Sequence, residues 1–363
     1  MSEVLEELTT QVAAALPSIT AADQRDTFAM HVLRAQRQHM PAVQAFLSDV
    51  PTDAPWWQQA VPTALFKRRR LYWGADESIQ TEFSSSGTSD PNRRSRASYS
   101  QRGLGLMNQA IDLAAERMLF PEGRSTRLLV MAPSPSQAPE MIMAHGMARL
   151  IERFGLPGSR FLMGPEGLDT TGLMDELRRA ESENTPVTLC GASFGFVHLL
   201  DALDGQKQHF KLPDGSRSLD AGGFKGRSRV VEKSDLHDTI SACFGIDRSH
   251  TVNLLGMTEL STQLYDDTLA AKMDGRQAIE GKVNPPWTAT VAVDPSNLEP
   301  VETGDLGLLV HLDLANVERP ACIRTQDVGR IIAGEHGDGF EIYGRIAGSE
   351  SRGCSLSIEE LLQ

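Results

Sequence analysis

From Phe83 to Asp90 the chain reads Phe-Ser-Ser-Ser-Gly-Thr-Ser-Asp. Clustered hydroxyls, with backbone N–H groups left uncovered by a glycine, can wrap a polyphosphate. Hydroxyls do not neutralise a triphosphate, but Arg93, Arg94 and Arg96 follow within reach, and guanidinium groups make charge-assisted bonds to phosphate. The same composition also suits a solvated turn. A second segment, Gly191-Ala192-Ser193-Phe194-Gly195, has the spacing of a nucleophile elbow. It follows an apolar run, Val187 to Cys190, and precedes a helical pattern, Phe196 to Leu203, which is the strand–turn–helix setting such a serine needs. An α/β-hydrolase or thioesterase built on it would use Ser193 as nucleophile, Asp305 or Asp327 as orienting carboxylate and His336 as base. No His-Gly-Gly-Gly segment supplies its oxyanion hole, and glycines that permit tight packing beside a ligand pocket account for the pentapeptide more simply.

The chain is long enough for one large domain or two ordinary ones: 363 residues, 40% hydrophobic and 23% charged. A formal net charge of −13 repels phosphate backbones and anionic membranes, which argues against nucleic acid as a partner. The cysteines Cys190, Cys243, Cys322 and Cys354 are far apart and form no zinc pattern, so reduced thiols in the cytoplasm are expected. No stretch reaches 18 apolar residues and the first 25 lack a basic region followed by an apolar run, so neither a membrane span nor an export signal is expected.

Apolar spacing of three and four predicts helices over Glu3–Ala15 and Arg25–Leu47. Beyond Arg127, short apolar runs alternate with helical patterns: Leu128–Met131, Glu140–Phe154, Val187–Gly191 and Phe196–Leu203. This is the texture of α/β layering. After Val283 the pattern turns to strands, Ala289–Val293, Gly307–Leu312, Val328–Ala333 and Phe340–Tyr343, which predicts an antiparallel or mixed sheet. On the helical stretch, Met141, Met143, Met147, Leu150 and Ile151 suit either a core or a pocket wall.

Four further segments stand in a fixed order: Asn253-Leu254-Leu255-Gly256-Met257-Thr258-Glu259, Gly304-Asp305-Leu306-Gly307, Cys322-Ile323-Arg324-Thr325-Gln326-Asp327 and Tyr343-Gly344-Arg345. Together with the Ser-rich loop they resemble the adenylate-forming ligase superfamily. The ending Arg352-Gly353-Cys354-Ser355-Leu356 is similar to that of its acyl-protein synthetase branch, the fatty-acid luciferin-component ligases, which are relatives of phenylacetate-CoA ligase. The resemblance implies an α/β fold: a helical N-terminal lobe (1–75), an adenylation core (76–330) and a strongly abbreviated C-terminal β/hinge segment (331–363). It implies that Ser85, Ser86, Gly87 and Thr88 hold phosphates, with Arg93 as the nearest cation where the family has a loop lysine. Gly256 would lie beside the nucleotide, Thr258 and Glu259 would meet the α-phosphate and Mg²⁺, Asp327 would take the ribose hydroxyls, and Arg345 would support the ribose or phosphate. Cys354 would accept the acyl group. Similarly placed histidines make His145 a candidate for the acyl-pocket wall. Only 18 residues follow Arg345, where most relatives continue into a domain with a catalytic lysine. Lys225, in Gly222-Gly223-Phe224-Lys225-Gly226, is the substitute within the core, because glycines allow close backbone approach to a nucleotide.

The implied chemistry has a plain rationale. A carboxylate is unreactive toward thiols because oxide is a poor leaving group; attack on the α-phosphate of ATP converts it to a mixed anhydride that leaves as AMP. Bringing two anions together needs Mg²⁺ and fixed donors. The expected cofactors are therefore ATP and Mg²⁺, and the expected partners a carboxylic acid, fatty or aryl, and a thiol. That thiol is the chain's own Cys354, a carrier or, as an alternative, coenzyme A. An acyl reductase is the implied collector of the acyl group.

Overall fold

The structure is a computed structural model that describes residues 3–85, 94–205, 207–222, 231–335 and 337–346. The first helix is Glu3–Ala15, as its spacing predicts, and it buries Leu5, Leu8 and Val12. The expected Arg25–Leu47 helix is instead two, Ala22–His39 and Pro41–Phe46. Pro41 has no N–H to continue the ladder and its ring crowds the preceding turn, but its fixed φ suits the first position of a new helix.

A six-stranded sheet forms the middle of the molecule, in the order Leu264–Tyr265, Thr251–Leu255, Arg217–Ala221, Val187–Ala192, Arg127–Met131, Arg160–Phe161. All pairs are parallel except the one made by Leu264–Tyr265. Alternate residues serve opposite faces. Leu128 and Val130 pack in one cluster with Leu106 and Ile111 of helix Gln101–Met118 and with Met147 and Leu150 of helix Ile142–Phe154. Leu129 and Met131 pack in another with Leu173, Phe196 and Leu236 from helices Thr170–Glu183, Ser193–Gly205 and Lys233–Phe244. Burial on both faces is what makes Leu128–Met131 an uninterrupted apolar run, whereas Arg217–Ala221 is buried yet carries Arg217, Ser218 and Asp220.

A second six-stranded sheet closes the chain: Lys282–Val283, Gly339–Arg345, Cys322–Ile332, Gly307–Asp313 and Thr288–Val293, antiparallel throughout, with Val61–Pro62 parallel on Cys322–Ile332. The strand expected from Val328 begins six residues earlier, at Cys322, so Arg324-Thr325-Gln326-Asp327 is strand and not loop. Leu260, Leu264, Leu309, Ile323 and Phe340 share a core cluster, which packs the two sheets together. Among the described residues, no helix is long and apolar enough to cross a membrane.

Candidate active site

Parallel strands deliver loops at their C-terminal ends, and the crevice outside those ends is where open α/β sheets bind ligands. Three of the segments singled out above leave the sheet there: Ser193 follows Ala192, Gly222 follows Ala221, and Gly256 to Glu259 follow Leu255.

The Ser-rich segment is the turn of a hairpin. Ile79–Ser84 pairs antiparallel with Arg96–Ser100, with Phe83 opposite Ala97 and Ser84 opposite Arg96. One step further Ser85 N donates to Ser95 O at 2.9 Å, and Ser85 Oγ accepts from Ser95 N at 3.0 Å. Ser85 thus closes the hairpin base. Ser86, Gly87, Thr88 and Arg93 lie outside the described residues. Arg94 and Arg96 reach carboxylates, Glu140 at 3.9 Å and Glu82 at 4.0 Å. His145 stands against this hairpin: its ring lies 5.3 Å from that of Phe83, its Nε2 is 2.7 Å from Asn108 Oδ1, and burial pushes its pKa down, which keeps the imidazole neutral at pH 7.

Beyond Leu255 the chain passes through Gly256, where a Cβ would meet nothing within 4 Å, to Thr258 and Glu259, which are 4% and 0% exposed. Partners distant in sequence hold this turn. Asn316 Nδ2 donates to Glu259 O at 2.8 Å, and the Asp313 carboxylate accepts from Ser261 N at 2.9 Å and Thr262 N at 2.8 Å. Arg319, 1% exposed, donates from Nη2 to Ser261 Oγ at 2.6 Å and to Asn316 Oδ1 at 2.8 Å, and from Nη1 to Ser98 O at 3.3 Å. Its guanidinium lies 3.5 Å over the Tyr99 ring. Arg319 therefore ties the loop hairpin to the Thr258–Glu259 turn. Gln36 secures the same segment from the N-terminal helices, donating to Asn316 O at 2.7 Å and Val317 O at 2.9 Å and accepting from Ala321 N at 2.9 Å. Glu318 accepts from Ser100 N at 3.0 Å and from the Ser100 hydroxyl, which itself caps helix Gln101–Met118. Sequence reading missed Gln36, Asp313, Asn316 and Arg319, because only long-range contacts reveal them.

On the closing sheet, Asp327 and Arg345 face one another on adjacent strands, and Arg345 Nε donates to Asp327 Oδ1 at 2.6 Å. Asp327 N donates to Thr325 Oγ1 at 3.0 Å, and Thr325 Oγ1 donates to Leu309 O at 2.9 Å, which fixes the strand segment that carries the aspartate.

The hydrolase alternative is corrected by the geometry around Ser193, which is 3% exposed. Its hydroxyl points at two acceptors, Asp220 Oδ2 at 2.6 Å and Gly222 O at 2.7 Å. His237 Nε2 donates to the other oxygen of Asp220 at 2.7 Å, so the imidazole lies behind the carboxylate and has no access to the serine proton. A nucleophile needs the base on the hydroxyl, which is the reverse arrangement. Of the expected partners, Asp327 is paired with Arg345, Asp305 is exposed, and His336 lies outside the described residues. Asn253 Nδ2 also donates to Asp220 Oδ2 at 2.7 Å, and Lys282 Nζ joins Asn253 O at 3.0 Å and Asp266 Oδ1 at 2.6 Å. The network is a buried polar seam between the two sheets. Lys225 and Cys354 lie outside the described residues.

Comparison with known proteins identifies the family and the fold. The family described as acyl-protein synthetase, LuxE, matches residues 46–363. The long-chain-fatty-acid–luciferin-component ligase of Aliivibrio fischeri is 25% identical over 313 residues, covering 83% of this chain and 78% of that one. The Vibrio harveyi protein of the same name is 24% identical over 326 residues, covering 86% and 78%. Among solved structures, 2-hydroxyisobutyryl-CoA ligase in its postadenylation state superposes with a TM-score of 0.65 at 15% identity, covering 90% of this chain and 69% of that chain. An open conformation of that ligase gives 0.66 at 15%, covering 91% and 72%. The fold is that of an adenylate-forming ligase core with a helical N-terminal region. The chain belongs to the acyl-protein synthetase, LuxE, family and is an ATP-dependent ligase that activates a carboxylic acid and passes the acyl group to a thiol.

Proposed function

We propose that the acid is a fatty or aryl acid, that Mg²⁺ accompanies ATP, and that the thiol is the chain's own Cys354, from which an acyl reductase collects the acyl group in the cytoplasm. The reading of the site rests on one observation above all: Arg319 bonds both Ser98 O of the hairpin and Ser261 Oγ of the Thr258–Glu259 turn, so the two segments expected at the triphosphate share one rigid brace. In the first step a carboxylate oxygen of the acid attacks the α-phosphorus, the bond to the bridging oxygen breaks, and pyrophosphate leaves. Ser85, Ser86, Gly87 and Thr88 would hold the phosphates, with Arg93 beside them; Thr258 would donate to the α-phosphate. Asp327 has capacity for the ribose hydroxyls, because a carboxylate that accepts from Arg345 on Oδ1 has a second oxygen to offer. Lys225 is the candidate for the α-phosphate oxygen from the nucleotide side, and Gly256 leaves room for close approach.

The donor set fits a nucleotide-borne Mg²⁺ and not a protein-caged ion. Glu259 offers a buried carboxylate, and no group of three or more His, Cys, Asp or Glu among the described residues could hold a metal. Mg²⁺ is commonly held by one or two carboxylates plus substrate phosphates. Bound there through Glu259, the ion would screen the two anions and polarise the α-phosphate.

In the second step a thiolate sulfur attacks the acyl carbon and AMP leaves. Cys190, Cys243 and Cys322 are buried, and burial pushes their thiols up, that of Cys243 to about 11. Buried, protonated thiols are poor nucleophiles, which favours Cys354. Incubation with labelled acid and ATP tests this: wild type acquires hydroxylamine-sensitive label, while Cys354→Ser retains acid-dependent pyrophosphate exchange and acquires none. Full labelling of Cys354→Ser, or acyl-coenzyme A formation at the wild-type labelling rate, would overturn self-acylation and assign coenzyme A as acceptor.

A further inference from the structure

We propose that Asp313 is a positioning residue for acid activation: it fixes the Thr258–Glu259 turn from the closing sheet and so sets where those side chains stand relative to the loop hairpin. The inference rests on the reading of Thr258 and Glu259 given above. Asp313 ends strand Gly307–Asp313 and is 1% exposed. Its two oxygens each receive two donors. Oδ2 accepts from Ser261 N at 2.9 Å and Thr262 N at 2.8 Å; Oδ1 accepts from Thr262 Oγ1 at 2.8 Å and Ala315 N at 3.0 Å. Only an acceptor-only group can satisfy four donors in this way, because an amide at the same place turns an NH₂ toward one of the N–H pairs. The strand behind it is rigid: Asp313 lies opposite Thr288, and its N–H donates to Ala321 O at 2.8 Å.

Two additional contacts give the clamp its direction. Thr262 Oγ1 accepts from Trp287 Nε1 at 2.9 Å, and Trp287 is 0% exposed, so the hydroxyl is oriented toward Asp313. Asn316, three residues beyond Asp313, donates to Glu259 O at 2.8 Å, while its Oδ1 accepts from Ser261 Oγ at 2.8 Å and from Arg319. The stretch from Glu259 to Thr262 is thus held at Glu259, Ser261 and Thr262 by Asp313 at the end of a strand of the other sheet and Asn316 just beyond it. A displacement of about 1 Å at the turn would misplace the carboxylate relative to phosphate, and such misplacement can cost about a hundredfold in rate.

The test compares Asp313→Asn, Glu259→Gln and the double variant by acid-dependent pyrophosphate exchange, with unfolding midpoints and amide hydrogen exchange alongside. Asp313→Asn is expected to lower maximal exchange by about 30-fold while the KM for ATP stays within about threefold, the signature of an interaction used in the transition state. Ser261 and Thr262 amides should exchange faster with the rest of the protein unchanged. The double variant should fall no more than about threefold below Glu259→Gln, because a clamp acting through the turn has nothing left to position. Thr262→Val, which removes one of the donors, should show the same kcat-only loss at about 3–10-fold and carries the test should Asp313→Asn fail to fold. Wild-type maximal exchange in the folded variants, or fully multiplicative losses in the double variant, would overturn the proposal. Wild-type exchange in Glu259→Gln would instead overturn the reading of Glu259, and the positioning role with it.

Discussion

Asp327 and Arg345 lie opposite each other on neighbouring antiparallel strands and are joined by a 2.6 Å Nε–Oδ1 hydrogen bond, with 11% and 13% of their side chains exposed. The pair is oriented by backbone register and not by chance rotamers, so the carboxylate is in place before a ligand arrives. Asp327→Ala should weaken ATP binding by about 10–100-fold, the equivalent of ~1.5–3 kcal/mol for hydrogen bonds to a charged group. An ATP titration of pyrophosphate exchange measures it; unchanged ATP affinity would place Asp327 away from the ribose.

Ser193 should behave as a buried structural hydroxyl. A fluorophosphonate probe should leave it unlabelled, since its proton is shared between Asp220 and Gly222 O and His237 is bonded to the other oxygen of Asp220. Ser193→Ala should retain exchange activity yet lose about 1–3 kcal/mol of stability, because two buried acceptors lose their donor. Stoichiometric labelling at Ser193 would contradict this.

Stability should fall in mild acid, in part through His311. Burial pushes its pKa from 6.5 down to about 4. The unfolded chain takes up this proton near pH 6.5 and the folded protein only near pH 4, so the folded state binds fewer protons between those values. The His311 contribution is therefore unaffected above pH 6.5 and is lost progressively as pH falls to about 4, by on the order of 3 kcal/mol in total. Urea unfolding at pH 7.5 and pH 5 should show a smaller drop for His311→Gln than for wild type. Equal drops would show that His311 does not carry the effect.

Periodicity made the layers legible. Glu3–Ala15, the strands at Leu128–Met131 and Val187–Gly191 and the strands of the last sheet follow from local apolar spacing, which is a property of contiguous residues, whereas Arg217–Ala221 and Thr251–Leu255, broken by Ser218, Asp220 and Asn253, do not. The failures have equally local causes. Pro41 splits a helix whose apolar pattern runs straight through it, and the Cys322–Asp327 stretch hides a strand because Arg324, Thr325 and Gln326 interrupt its apolar run. The glycine-x-serine-x-glycine spacing marks a passage from strand to helix, though the helix begins at Ser193 itself and not after a turn at Phe196, and the spacing is silent on what the hydroxyl meets. Asp313 and Asn316 were illegible for a different reason. Their bonds to Ser261 and Glu259 span 52 and 57 residues, and Gln36 reaches Asn316 across 280. No pattern within a segment encodes such partners; the packing of one sheet against the other does.

Acid-dependent exchange of labelled pyrophosphate into ATP, run on wild type and on Glu259→Gln, tests the adenylation site most directly. Wild type should show exchange that requires the acid and Mg²⁺, and Glu259→Gln should lose it by at least about a hundredfold with its unfolding midpoint preserved, since a neutral amide cannot hold the ion that screens attack on phosphate. Wild-type exchange rates in folded Glu259→Gln would contradict the assignment of this turn to the reaction.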